Sequence, residues 1–136
     1  MKRLEDLIEK HGHLGFMFEQ NLYGIAEHFS SDYDGGYWTS EQVNQNDNGF
    51  YLELSGNESY KIQNCQNGYD SGDMDDITFG LAIFTFACNI VGTQAYEHGD
   101  MNFANDLFEL QHYCQNNALQ ILGDETRHSK FHWFLD

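Results

Sequence analysis

His128 and His132 stand four residues apart in a segment of helical character, a spacing that puts two imidazoles on one face and is used by zinc sites. The pair lacks the companions that such chemistry needs. Ser129-Lys130-Phe131 lie between them, no Glu follows His128 as a general base, and no third ligand is evident nearby. A structural or solvated role is the reading we adopt, with a metal-dependent hydrolase as the alternative. His11-Gly12-His13 is weaker still, because alternate residues of a helix do not share a face. Asp70, Asp73 and Asp75 resemble a loose set of oxygen donors, but the calcium-loop pattern with its distal Glu is not satisfied. A loop followed by a helix cap accounts for the same residues. Gly35-Gly36 and Gly68 read as turn glycines, Cys65 has no local His, and no G-x-S-x-G elbow occurs. We therefore expect no enzyme, no metal, no cofactor and no small-molecule substrate.

The elements that carry these residues can be read from pattern. Between Asp32 and Leu54, aromatic runs flank a turn rich in Asn, Asp and Gly, which predicts a β-hairpin. Tyr37, Trp38 and Val43 lie on one arm, Phe50, Tyr51, Leu52 and Leu54 on the other, with Asn44 to Gly49 supplying residues that tolerate positive φ. A third strand is predicted from Ser59 to Gln63 after a turn at Gly56-Asn57, completing a three-stranded antiparallel meander. Before it, a helical region from Lys2 to Phe29 is expected to bend or break near Gly12 and Gly15, with Phe18, Leu22, Ile25 and Phe29 facing the core. After a polar loop from Asn64 to Gly72, Asp75 is the chosen cap of a helix that runs to about Tyr96 and is apolar on nearly all sides. An amphipathic helix follows, with Phe103, Leu107, Leu110, Cys114, Ala118 and Ile121 on its buried face and Gly123 as its left-handed cap. A last helix from Glu125 to Leu135 offers Phe131, Phe134 and Leu135 to the core. The fold class is α+β, a small sheet packed with about four helices.

At 136 residues the chain fits one domain, residues 1–136, since domains commonly hold roughly 100–150 residues. A net charge of -16 on a chain that is 40% hydrophobic describes an acidic globule, because a disordered acidic tail would lack that apolar content. Direct binding to nucleic acid or to an anionic membrane is disfavoured, since such affinity comes mainly from cations. Attraction to basic protein surfaces remains, including the DNA-binding cleft of an enzyme. Mimicry of DNA is permitted by the charge, yet the acids fall in small scattered groups without a continuous stripe. Cys65, Cys88 and Cys114 are odd in number and widely spaced, as expected for reduced thiols in a cytoplasmic protein. MKRLEDLIEK lacks the apolar core of a signal peptide, and the apolar run from Ile77 to Val91 is short for a membrane span.

In order along the chain, the NLYG-I-AEHFSSDYDGGYW segment, the NGFYLEL strand, YKIQNCQNGY and the M-x-x-x-x-FGL start of an apolar helix resemble the KlcA/ArdB family of anti-restriction proteins. The resemblance spans most of the chain. Its most specific parts are Asn21 to Trp38 and Gly49 to Leu54. The family's aromatic hairpin falls on Gly36, Tyr37, Trp38, Gly49, Phe50 and Tyr51, its loop-to-helix junction on Asn67, Gly68, Tyr69, Met74, Phe79 and Gly80, and its acidic C-terminal position on Asp136. Asp75-Asp76-Ile77-Thr78 stand where the family typically has Ser-Ala-Asp-Ala, and His128-Ser129 where it has His-Pro. The resemblance implies a compact α+β fold and protection of incoming plasmid, prophage or phage DNA from host type I restriction. It implies a non-enzymatic inhibitor that contacts the restriction complex or an associated host protein. Asp136 is the first residue expected at that contact, followed by Trp38 and Tyr51.

Overall fold

The computed structural model describes residues 1–63 and 72–136. In chain order the elements are α1 (Leu4–His11), α2 (His13–Phe29), β1 (Tyr37–Glu41), β2 (Tyr51–Ser55), β3 (Tyr60–Lys61), β4 (Asp73–Met74), α3 (Asp76–Glu97), α4 (Met101–Leu122) and α5 (Glu125–Leu135). The α+β class holds, with five helices among the described residues because the first helical region breaks. The break is at Gly12, whose φ of 58° is a left-handed value that a glycine takes without a Cβ clash. Gly15 does not break the chain. It lies inside α2, where a Cβ would stand 2.7 Å from the Ile8 Cα, so its missing side chain lets α2 fold back closely on α1. The buried stripe of α2 runs through Phe18, Leu22, Ala26 and Phe29, while Ile25 is half-buried at its margin.

The expected three-stranded meander is not formed. β1 pairs with β2 antiparallel, with Trp38 opposite Leu54 and Ser40 opposite Leu52, and β3 pairs separately with β4. The physical reason lies in where the third strand sends its polar groups. The Lys61 N–H donates to the Asp32 carboxylate at 2.9 Å and the Gln63 N–H to the Phe29 carbonyl at 2.8 Å. The turn after α2 thus takes bonds that β2 was expected to supply. Tyr60 turns inward, stacking on Phe79 with ring centroids 4.5 Å apart and accepting the Asn57 N–H on its hydroxyl.

The apolar α3 is the central element, packed against α4, β2, α2 and α5. Asp75 caps it as expected, its carboxylate accepting the Thr78 N–H at 2.9 Å, a contact worth about 1 kcal/mol. Gly80 sits on the strand side of α3, where a Cβ would lie 2.7 Å from the Leu54 Cβ, so helix and hairpin approach at that point. By length and composition α3 could cross a membrane, being longer than the apolar run from Ile77 to Val91, but most of it is buried among the other elements. That is the position of a core helix in a globular domain. Gly123 ends α4 in the left-handed conformation at φ 83°, and α5 follows as expected, with Phe131 and Phe134 buried.

Candidate interaction surface

The hairpin is fixed from both sides. Leu52 and Leu54 on β2 are buried against α3, and Phe50 packs on Phe84 with centroids 5.7 Å apart. From α4, the Tyr113 hydroxyl reaches the hairpin connection, donating to Asp47 Oδ2 at 2.6 Å and accepting the Val43 N–H at 2.8 Å. The hydrogen bond from Tyr113 holds the Asp47 carboxyl below its usual pKa. Burial, reinforced by the same bond, pushes the Tyr113 phenol up to about 12. Gly49 was expected to supply a positive φ. Its role is to leave room for the Tyr113 ring, which a Cβ would meet at 2.8 Å. Gln42 completes the connection by donating to the Asp47 and Gly49 carbonyls, each at 2.8 Å.

Trp38 and Tyr51 lie on opposite faces of this hairpin, because Trp38 pairs with Leu54 while Tyr51 pairs with Glu41. Both are half-buried. The Trp38 indole N–H donates to the Tyr33 hydroxyl at 3.0 Å, and the ring packs partly against the core, so its donor is taken and only part of the ring is open to other contacts. Burial raises the pKa of the Tyr51 phenol, with the Glu53 and Glu41 carboxylates adding to the effect. Glu53 is itself raised by burial and by Glu41 and Asp76. Asp136 is exposed beyond α5, which packs on α3 and α4. The structure therefore brings Trp38 and Tyr51 onto one hairpin and puts Asp136 on a different element.

Pattern alone missed the cleft beside the hairpin. It measures about 880 Å³ and is walled by the start of α1, by Glu19 and Tyr23 of α2, and by Tyr37 to Gln42 in unbroken succession. Tyr37 is 70% exposed at its margin. The Leu4 N–H donates to Ser40 Oγ at 3.0 Å and Lys2 Nζ to the Gln45 carbonyl at 3.0 Å, fastening α1 to the hairpin. Arg3 pairs with Asp6 at 3.6 Å. Among the described residues, no cation forms an ion pair with Glu5, Glu19 or Glu41.

The remaining candidates resolve into local structure. His128 and His132 meet edge to face, with centroids 4.5 Å apart, and no group of three metal-binding side chains forms among the described residues. Asp73 lies in β4. Asp75 bonds Thr78 and pairs with Arg127 at 2.7 Å. Burial raises its pKa, but the bonds from Thr78 and Arg127 outweigh that and hold the carboxyl low. His11, separated from His13 by the helix break, reaches Asp106 of α4 at 2.6 Å and packs tilted against the Phe103 ring, with centroids 5.0 Å apart. Cys88 and Cys114 are free and buried, and burial pushes Cys114 up to about 12. Cys65, Asn67, Gly68, Tyr69 and Asp70, with the rest of the polar loop up to residue 71, lie outside the described residues.

A small hairpin laid on a helical core, with an acidic and aromatic cleft at its side, defines a compact α+β domain. Among solved structures, the chain is similar to one of the KlcA and ArdB proteins, with a TM-score of 0.70 and 23% identity over 94% of this chain and 84% of that one. Those proteins are described as having a novel fold and antirestriction activity against type I DNA restriction systems in vivo but not in vitro. This chain has that fold. No protein-family model and no curated protein matches it.

Proposed function

We infer that this chain is an anti-restriction protein of the KlcA/ArdB kind, protecting incoming mobile-element or phage DNA by lowering host type I restriction. The observation that carries the reading is the shared fold over 94% of the chain, in agreement with the sequence resemblance centred on the aromatic hairpin. The action is non-enzymatic and runs through protein contacts. What supports this is a surface of aromatic and acidic side chains, with a net charge of -16 that favours basic protein surfaces and repels nucleic acid. The contact is made with the restriction complex or with a host protein associated with it, in the cytoplasm, and it includes Asp136, Trp38 and Tyr51. Activity of the structural relatives in vivo but not in vitro supports the involvement of a host factor.

The test is plating of unmodified phage on cells that carry a type I system, with and without the protein. Higher plating that disappears in cells lacking the system supports the reading, and unchanged plating sinks it. The same comparison with Asp136→Ala, Trp38→Ala and Tyr51→Ala, each checked for folding, tests the three contact residues individually.

A further inference from the structure

The cleft beside the hairpin borders the open edge of β1. Successive side chains of a strand point to opposite faces, so a cavity that touches Tyr37, Trp38, Thr39, Ser40, Glu41 and Gln42 in a row reaches the edge of β1, and from there it extends under the hairpin to Leu52. The other edge of β1 is occupied by β2, and among the described residues the hairpin has no third strand. Among the described residues, no group outside β2 hydrogen-bonds to the backbone of Tyr37–Glu41. Unpaired backbone groups of this kind are a template for another strand.

The walls of the cleft select the occupant. Lys2 is engaged with the Gln45 carbonyl and Arg3 with Asp6, while Glu5, Glu19 and Glu41 have no cationic partner among the described residues. Tyr37 is largely exposed, and the Trp38 N–H is already spent on Tyr33. An exposed ring such as Tyr37 can receive a cation on its face, and the open part of Trp38 can add to it. Like charge on two copies of this acidic chain opposes edge-to-edge pairing between them.

We propose that the β1 edge is a docking site for an extended, Arg- or Lys-bearing segment of a partner protein, which adds as a third strand and places its cations on Glu19, Glu41 and the Tyr37 and Trp38 rings. This deepens the reading that the chain acts through protein contacts and rests on it. Backbone pairing provides the hold, and the carboxylates and rings select basic side chains.

The experiment uses the full chain and a short capped peptide alternating Arg with Val and Thr. Its comparators are a version with Glu in place of Arg and two versions N-methylated on one or the other alternating set of backbone amides. Calorimetry is expected to show binding of the Arg peptide, none of the Glu peptide, and loss of at least about tenfold in affinity for only one methylated set. Amide shifts in the NMR spectrum are expected to centre on residues 37–42. Glu19→Gln with Glu41→Gln weakens binding, whereas Glu97→Gln with Glu125→Gln leaves it near the original value. No binding, equal binding of the two methylated forms, or equal loss in both double variants overturns the proposal, as does a dimer of the protein alone that shields the β1 amides. If the wild-type chain protects phage yet fails these tests, the docking site falls and the anti-restriction reading stands. Binding without protection gives the reverse.

Discussion

The Trp38 indole N–H donates to the Tyr33 hydroxyl at 3.0 Å, joining the first hairpin strand to the turn that follows α2. The Tyr33 hydroxyl passes the chain of bonds on, donating to the Gly35 carbonyl at 3.2 Å. Trp38 is thus a structural tie as well as a candidate contact. Trp38→Phe keeps a ring and removes the tie, and is expected to cost about 1 kcal/mol in denaturant unfolding. Tyr33→Phe should cost a similar amount. The double variant should lose less than the sum, because both single changes remove the same Trp38–Tyr33 bond, Tyr33→Phe losing the bond to Gly35 as well.

Two glycines of α2 are expected to respond oppositely to alanine. A Cβ at Gly15 meets the Ile8 Cα at 2.7 Å, a backbone atom that cannot step aside, so Gly15→Ala should destabilise by about 1–3 kcal/mol. Gly24 has nothing within 4 Å of an added Cβ, and Gly24→Ala should stabilise the helix by about 0.5–1 kcal/mol. Thermal unfolding of the two variants decides the matter. A stabilised Gly15→Ala would remove the close approach of α1 and α2 from the account.

The hairpin, the Asp75 cap and the Gly123 stop were legible in the sequence because each is local: alternation, a carboxylate before a helix, a glycine after one. The pairing of β3 with β4 was not, since each strand has only two residues and the partners lie on either side of residues 64–71. Two residues carry no alternation. Asp73 read as part of an acidic helix start because nothing near it signals a strand. The cleft along β1 was equally hidden, being formed when α1 and α2 are laid beside a hairpin distant in sequence. Trp38 and Tyr51 were legible as aromatics, but their opposite faces follow from the register.

The tie between His11 and Asp106 gives the fold an acid-sensitive joint. Burial raises the Asp106 pKa, but the bonds from His11 and Lys10 outweigh it and hold the carboxyl below the usual aspartate value. A carboxyl depressed in the folded state contributes stability that is fully present above the unfolded pKa and is lost as pH falls through the lower, folded value. Asp106→Asn should therefore destabilise the protein near neutrality and flatten its stability profile below about pH 4. Unfolding free energies measured across that range check both parts. An unchanged acid slope in Asp106→Asn would contradict them.

The most direct test of the central claim is phage plating paired with restriction by the purified enzyme. Expression of the chain in cells carrying a type I system is expected to raise plating of unmodified phage toward the level of cells lacking the system. Plating of modified phage should be unaffected. Cleavage by the purified type I enzyme should continue in the presence of the purified chain if a host factor mediates the contact, and stop if the chain binds the enzyme directly. Unchanged plating of unmodified phage, from cells shown to contain the folded protein, contradicts the account.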